Sequence, residues 1–355
     1  MGLALPVVWS DRHRLHEPGG EIWVGVHTAG TELPARADAI RAELSGAGAR
    51  FVEADPQPDD TLHAVHDPAL TGYLGRAWEN WEAAGLPDDP GQDRVVPYLF
   101  PDASLFSGFA PATAASPTAR AGQFAYDTMS LIGPGTWEAA RAAIDTAATA
   151  AGLVAAGDSA AYALTRPPGH HATRSAFGGS CYLNNSAAAA ARLRHDTGAR
   201  VAVIDIDAHH GNGTQAIFWD EREVLTGSVH VDPGAGWFPH FLGFASETGR
   251  DGSNRNLPLA PGTGDDPWLA AVTELAGWAR EGGAGALVVA LGVDAAAGDP
   301  ESPLQVSANG YRAAGRALGE LGLPTVVVQE GGYDLATIGR LVRETLEGLE
   351  EGMGA

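Results

Sequence analysis

An α/β fold, with a single open and mostly parallel β-sheet flanked by helices, is predicted by three observations in the second half of the chain. β-branched runs alternate with Ala-rich stretches of helical length. Each helical stretch carries Gly or Pro near an end, and the residues able to carry chemistry fall just after the apolar runs. Strands of a parallel sheet are covered on both faces and read as continuous apolar segments. Ala160 to Leu164, Val201 to Ile206, Leu287 to Leu291 and Thr325 to Gln329 fit that description best, and Val224 to Val231 is a fifth.

In chain order, a helix is predicted over 35–47 and another over 69–84. A stretch rich in Pro, Asp and Ser follows, from about residue 86 to 121; it is too long for an ordinary connection and reads as a functional or interaction insertion. Gly133 to Trp137 stops one segment and starts a long Ala-rich helix over 138–156. Further helices are predicted over Ser186 to His195, Trp268 to Arg280, Asn309 to Leu321 and Leu335 to Glu350. No repeat and no compositional break divides the chain, so residues 1–355 are predicted to form one domain carrying the insertion.

The 355 residues hold 44 acidic against 22 basic side chains, a formal charge of -22, and every basic residue is arginine. That balance disfavours nucleic acid as a direct ligand and suits a cationic small substrate. The single Cys181 cannot form an internal disulfide, which asks for no oxidising compartment. Met1 to Ser10 lacks the basic start of a signal peptide, and no apolar run approaches the ~20 residues of a membrane span. A cytoplasmic protein with no membrane partner is therefore expected.

In an open parallel sheet, ligands bind beyond the carboxyl ends of the strands. The four best strands are followed by Arg166 to His171 (Arg-Pro-Pro-Gly-His-His), by Asp205 to His209 (Asp-Ile-Asp-Ala-His), by Gly292-Val-Asp294 and by Glu330-Gly-Gly-Tyr333. On an extended strand tip, Asp207 and His209 would point to the same side and share one ion. Asp294 would complete an Asp-His-Asp set that leaves positions open for water and substrate, as catalytic rather than structural zinc requires. The oxygen-rich donors leave Fe(II) or Mn(II) open as the working ion.

Hydrolysis of an amide needs a base for the attacking water and an acid for the departing amine, and imidazole titrates in the range for both. A glycine-led turn can aim His170 and His171 into one cavity. Asp205 and Asn212 are the natural acceptors for their second ring nitrogens, one for each. Tyr333, after the flexible hinge Gly331-Gly332, brings a phenol toward the oxygen that becomes negative in the reaction.

The quoted segments, with Gly179 to Asn185 (Gly-Ser-Cys-Tyr-Leu-Asn-Asn) and Asp205 to Gln215, resemble the zinc-dependent histone deacetylase superfamily from about Trp9 to Gly348. Gly135-Thr-Trp-Glu138, Phe238 to Gly243 and Glu247-Thr-Gly249 are similar to the bacterial acetylpolyamine amidohydrolase branch, as is Asn212 where many relatives have aspartate. The resemblance implies the arginase/deacetylase fold, with Zn2+ on Asp207, His209 and Asp294. It implies His171 as general base and acid, His170 acting through charge and hydrogen bonds, and Tyr333 holding the oxyanion. It further implies a structural K+ on Asp205, Asp207 and His209, largely through main-chain oxygens, with Ser228 and Val229. A substrate tunnel would be lined by Gly179, Ser180, Phe238, Gly331 and Gly332, and the insertion would serve a homodimer.

Two positions depart from the pattern. Ser180 stands where the family usually places an aromatic wall of the tunnel, opposite Phe238. Ala121 stands where an acidic residue would engage the amine of an acetylpolyamine, leaving Asp102 or Glu301 as substitutes. The expected activity is hydrolysis of an N-acetylated or short-acyl amine such as an acetylpolyamine or acetyl-lysine. A two-metal ureohydrolase of the same fold and a non-catalytic acyl-amine sensor are the rival readings.

Overall fold

Each apolar run singled out above becomes a strand in the computed structural model, which describes residues 2–110 and 112–354, so that Pro111 of the insertion lies outside the described residues. The strands are β1 (Pro6–Trp9), β2 (Glu21–Trp23), β3 (Val26–Thr28), β4 (Arg50–Glu53), β5 (Ala160–Ala163), β6 (Val201–Asp205), β7 (Val224–Val231), β8 (Asn254–Leu259), β9 (Ala286–Leu291) and β10 (Thr325–Gln329). Eight form one sheet in the order β4-β1-β5-β10-β9-β6-β7-β8, with every pairing parallel; β2 and β3 make a separate antiparallel hairpin. The helices are α1 (Pro34–Gly46), α2 (Asp59–His63), α3 (Pro68–Ala83), α4 (Pro117–Ala121), α5 (Thr136–Ala155), α6 (Asn185–Thr197), α7 (Asn212–Phe218), α8 (Asp265–Glu281), α9 (Ala308–Gly319) and α10 (Ile338–Met353).

Strand side chains alternate between two apolar cores, one on each face. Val7, Ala202, Ile204, Leu287, Val289 and Val327 face the core built with α1, α8, α9 and α10. Val8, Val201, Val203, Val288, Val326 and Val328 face the core built with α3, α5 and α6. Covering on both faces removes the polar half of the alternation, which is why these segments read as unbroken apolar runs.

Two of the strands that pattern reading misses lack that signal, whereas the four-residue β1 carries it. β4 and β8 are the sheet's two edges; one carries Arg50 and Glu53 at its ends, and the other contains Asn254, Asn256 and Pro258. The last helix starts at Ile338 rather than Leu335 because Asp334 accepts from Ala336 N (3.1 Å) and from the Thr337 hydroxyl (2.6 Å), holding the intervening residues in a turn. Apart from α4 and a 3-10 turn at Ala103–Phe106, the insertion is irregular, and it exposes Tyr98, Leu99, Leu105 and Phe109.

The topology places the site. β5, β10, β9 and β6 are consecutive neighbours although far apart in sequence, because the chain leaves a gap after β5 that β9 and β10 later fill. The four motif-bearing tips therefore open side by side at one edge. Among the described residues no helix is long and apolar enough to cross a membrane.

Candidate metal centre and cavity

β6 ends at Asp205, and Asp207 and His209 sit in the bend after it rather than on an extended strand tip. Main-chain donors do the aiming instead. His209 N donates to Asp207 Oδ1 (2.9 Å), Gly331 N to Asp207 Oδ2 (2.8 Å) and Ala208 N to Asp294 Oδ1 (2.7 Å). His209 Nδ1 then lies 3.2 Å from Asp207 Oδ1 and 3.2 Å from Asp294 Oδ2. One donor atom from each of the three residues falls within 4.8 Å of the others.

Two wholly buried carboxylates facing one another call for positive charge between them. Burial, then the charge of Asp207, raises Asp294 to about 7; burial opposes protonation of His209, yet the two carboxylates drive it well above the ordinary imidazole value. Two carboxylate oxygens and one imidazole nitrogen fit a borderline dication such as zinc. A second group, His170, Cys181 and Glu330, also lies close together, but Glu330 and His170 are engaged in hydrogen bonds. Glu330 accepts from Gly169 N (2.6 Å), His170 N (3.1 Å) and the Ser186 hydroxyl (2.6 Å), while His170 Nδ1 bonds Asp205.

Those bonds to Glu330 shape the turn that delivers the histidines. Gly169 is required there, since a Cβ would come within 2.6 Å of Leu183 O. His170 Nδ1 lies 2.9 Å from Asp205 Oδ2 and His171 Nδ1 lies 2.6 Å from Asn212 Oδ1, one acceptor for each ring. Burial would lower both, but Asp207 and Asp205 raise His170 to about 10, whereas burial and the neighbouring His170 and His209 charges push His171 well below the ordinary value. His171 thus stays neutral beside a cationic His170, and of the two it is His171 that lines the cavity. With Nδ1 donating to Asn212, its Nε2 lone pair is free to accept a proton.

The cavity, of about 310 Å3, has His171, His209 and Tyr333 among its walls, together with Trp23, Met129, Gly179, Ser180 and Phe238. Phe238 stands edge-on to His171 at 4.8 Å. Gly179 and Ser180 both adopt positive φ (57° and 60°), and a Cβ on Gly179 would overlap the His171 ring. Tyr333 is fixed by its N–H to Asp299 (2.7 Å) and by the Arg36 guanidinium, 4.5 Å from its ring centroid.

Several expectations are corrected. Gly331 and Gly332 do not line the cavity and are not a loose hinge. Both are buried behind the carboxylates, where a Cβ on Gly331 would overlap Asp294, and Gly332 O accepts from Arg36 Nε at 2.5 Å. Ala121 is not at the cavity: it is fully buried at the end of α4 in the core. Asp102 is exposed and caps the turn at Ala103–Phe106, whereas Glu301 does reach the cavity, joined by Glu21, which pattern reading did not single out. Arg36 was missed as well; its only sequence signal is Glu32 four residues earlier, with which it pairs at 2.9 Å while Glu32 also binds Arg166 at 2.8 Å. Asp205 and Ser228, two of the residues expected around potassium, face each other in the β6–β7 register, and the Ser228 hydroxyl lies 2.8 Å from His230 Nδ1.

The family model described as the histone deacetylase domain matches residues 31–349. The chain belongs to the histone deacetylase family. Within that family it is 38% identical to the acetylpolyamine amidohydrolase of Mycoplana ramosa over 97% of this chain and 99% of that protein. It is 39% identical to histone deacetylase 8 of Arabidopsis thaliana over 62% of this chain and 61% of that one. Among solved structures, the acetylpolyamine aminohydrolase from Burkholderia pseudomallei superposes with a TM-score of 0.92 at 35% identity, covering 98% of this chain and 99% of that one. The histone deacetylase fold is therefore shared over nearly the full length. Ser180 and Phe238 both line the cavity, so Ser180→Tyr is expected to narrow it. The ratio of kcat/KM for slim linear over branched acyl-amines should rise; an unchanged ratio would remove Ser180 as a specificity determinant.

Proposed function

We propose that the protein is a single-metal deacylase that hydrolyses N-acetylated or short-acyl amines bearing a second positive charge, with acetylpolyamines as the leading class and acetyl-lysine as a further candidate. One observation carries the reading: a neutral imidazole, His171, and the phenol of Tyr333 line the same cavity as His209, whose ring nitrogen converges with carboxylate oxygens of Asp207 and Asp294 just behind it. The names of the relatives point the same way. A zinc ion, or Fe2+ in its place, held by those three side chains supplies Lewis acidity for the water and the acyl carbonyl.

The chain's own groups do the rest. Nε2 of His171 takes the proton of the attacking water and returns it to the departing amine. Asn212 keeps the ring in the tautomer that can do so. His170, held cationic against the cost of burial by Asp207 and by its hydrogen-bond partner Asp205, favours the negative charge that builds up nearby. The Tyr333 hydroxyl donates to the oxygen that becomes negative.

Zinc-loaded protein assayed against N-acetylated diamines, polyamines and lysine peptides tests this. Turnover with one metal per chain is expected. Two metals per chain would favour the ureohydrolase rival, and saturable binding without turnover in metal-replete protein would favour the sensor.

The second charge is argued from Glu21 and Glu301. Both line the cavity, neither forms an ion pair with a described residue, and the Thr31 hydroxyl donates to Glu301 at 2.7 Å. Burial, then the charges of Glu301, Asp127 and Glu32, raise Glu21 to about 7. A carboxyl raised in this way is neutral below its pKa and charged above it. KM for an ammonium-bearing substrate should therefore fall as pH rises through about 7. Glu301→Gln should raise that KM roughly 5-fold, the upper worth of a partly screened pair, and shift the transition to lower pH because one raising charge is gone. An uncharged acyl-amine should show neither effect; equal changes for both substrates would remove the carboxylates from recognition.

The same reading includes a cytoplasmic enzyme, a structural potassium ion at Asp205, Asp207, His209, Ser228 and Val229, and a homodimer. The apolar side chains that the insertion exposes support the dimer.

A further inference from the structure

A second polar cavity, of about 220 Å3, lies between α3 and the end of the insertion, walled by Tyr73, Arg76, Asn80, Arg120 and the small residues around Ala114 and Pro117. Its polar side chains have donors to offer and no carboxylate to meet them. Neither Arg76 nor Arg120 forms an ion pair with a described residue, although acidic residues outnumber basic ones 44 to 22 in this chain. Arg120 makes one long contact to Gln123 Oε1 (3.4 Å) and lies over the Phe124 ring at 5.1 Å, which leaves its remaining N–H groups free.

Tyr73 is the second, independent observation. Its side chain lines this cavity, the residue is only 6% exposed, and its hydroxyl has no hydrogen-bond partner. Stacking on Phe124 at 4.6 Å fixes the ring, so the phenol cannot swing out to water. Burial raises its pKa well above the ordinary phenol value, and so it remains a donor at physiological pH. A buried hydroxyl is costly to leave unmet unless something accepts from it. Two guanidinium groups, on exposed Arg76 and half-buried Arg120, line the cavity with the Asn80 amide beside this buried phenol, a set that complements a compact anion with several acceptor oxygens.

We propose that this cavity binds a small tetrahedral oxyanion of the phosphate or sulfate type, with Tyr73, Arg76 and Arg120 as its donors. The ion would tie the insertion to α3. Gln123 already holds the neighbouring segment, its Nε2 donating to Ala112 O (2.9 Å) and its Oε1 accepting from Ala114 N (3.2 Å), and Arg120 lies one turn away on the same strap.

The test follows the thermal midpoint of metal-loaded protein, and proteolysis of the insertion, in sodium sulfate and in inorganic phosphate against sodium chloride at matched ionic strength. Wild type is expected to show a saturable rise of a few degrees with at least one oxyanion, and slower cleavage within residues 86–121. The Arg76→Gln, Arg120→Gln double variant should lose both responses while keeping its turnover on acyl-amines, since neither residue reaches the catalytic cavity. Tyr73→Phe should weaken the response and leave the ion-free midpoint equal or higher, because an unmet hydroxyl is removed. No saturable rise above chloride overturns the proposal. An equal rise in the double variant does so too, because the ion would then be acting at the metal centre. Loss of a dimer in Arg76→Gln without any oxyanion response would also overturn it, by giving the cavity to a carboxylate of a second copy.

Discussion

Replacing His171 with alanine is expected to lower kcat by about 10²- to 10⁴-fold, the usual worth of a positioned general acid and base, with metal content and KM little changed. The metal content follows from geometry. His171 gives no atom to the Asp207, His209 and Asp294 set, whose orientation depends on main-chain N–H groups of Ala208, His209 and Gly331. The rate follows from protonation. Burial and the positive charges of His170 and His209 hold His171 neutral well below the ordinary imidazole pKa, so it can accept a proton over the whole neutral range. A dication on His209 acts in the same direction. The wild-type rate should therefore show no loss near pH 6.5 attributable to this ring. Metal analysis with single-turnover rates on an acetylated diamine checks the prediction; near-wild-type turnover in the alanine variant would move the proton transfer to another group.

How much of this was legible in the sequence depends on which physical signal each part leaves. The strands β5, β6, β9 and β10 could be read because burial on both faces makes them largely apolar runs, β7 because it is rich in β-branched residues although Ser228 and His230 interrupt it, and the residues just past four of these strands because parallel sheets present ligands at that end. That Asp205 and Asn212 serve one histidine each was legible from motif proximity, and the structure assigns Asp205 to His170 and Asn212 to His171. The aiming of Asp207 and His209 was not, because it depends on N–H donors in a bend and not on strand alternation. Arg36 and Glu32 stand four residues apart, a spacing that any exposed helical pair shares, and only the fold shows them buried against Gly332 and Arg166. Glu21 lies on a three-residue hairpin strand and Glu301 on a loop after β9, so nothing local in either segment announces that they meet at one cavity. Ala121 misled for the converse reason, since its position beside a motif says nothing of its direction, and at the end of α4 it packs into the core instead of reaching the cavity.

Tyr333→Phe is expected to cost about 10²- to 10³-fold in kcat, or about 2.7–4 kcal/mol of transition-state stabilisation, with KM nearly unchanged. The loss should be chemical and not structural. What fixes this residue is its N–H to Asp299 and the guanidinium of Arg36 over its ring, and both remain when only the hydroxyl is removed. Burial raises the phenol well above its ordinary pKa, outweighing the opposing pull of Arg36, so the hydroxyl is protonated and able to donate throughout the neutral range. A donor of this kind is worth most where charge appears, and the acyl oxygen gains its charge only on the way to the transition state. Its removal should therefore spare ground-state binding of substrate and the thermal midpoint while slowing the chemical step. His171→Ala and Tyr333→Phe act on one event, one on the proton and one on the oxygen, and the double variant should lose less than the product of the two single losses. Full activity in the phenylalanine variant would sink the assignment, and an equal rise in KM would recast Tyr333 as a binding residue.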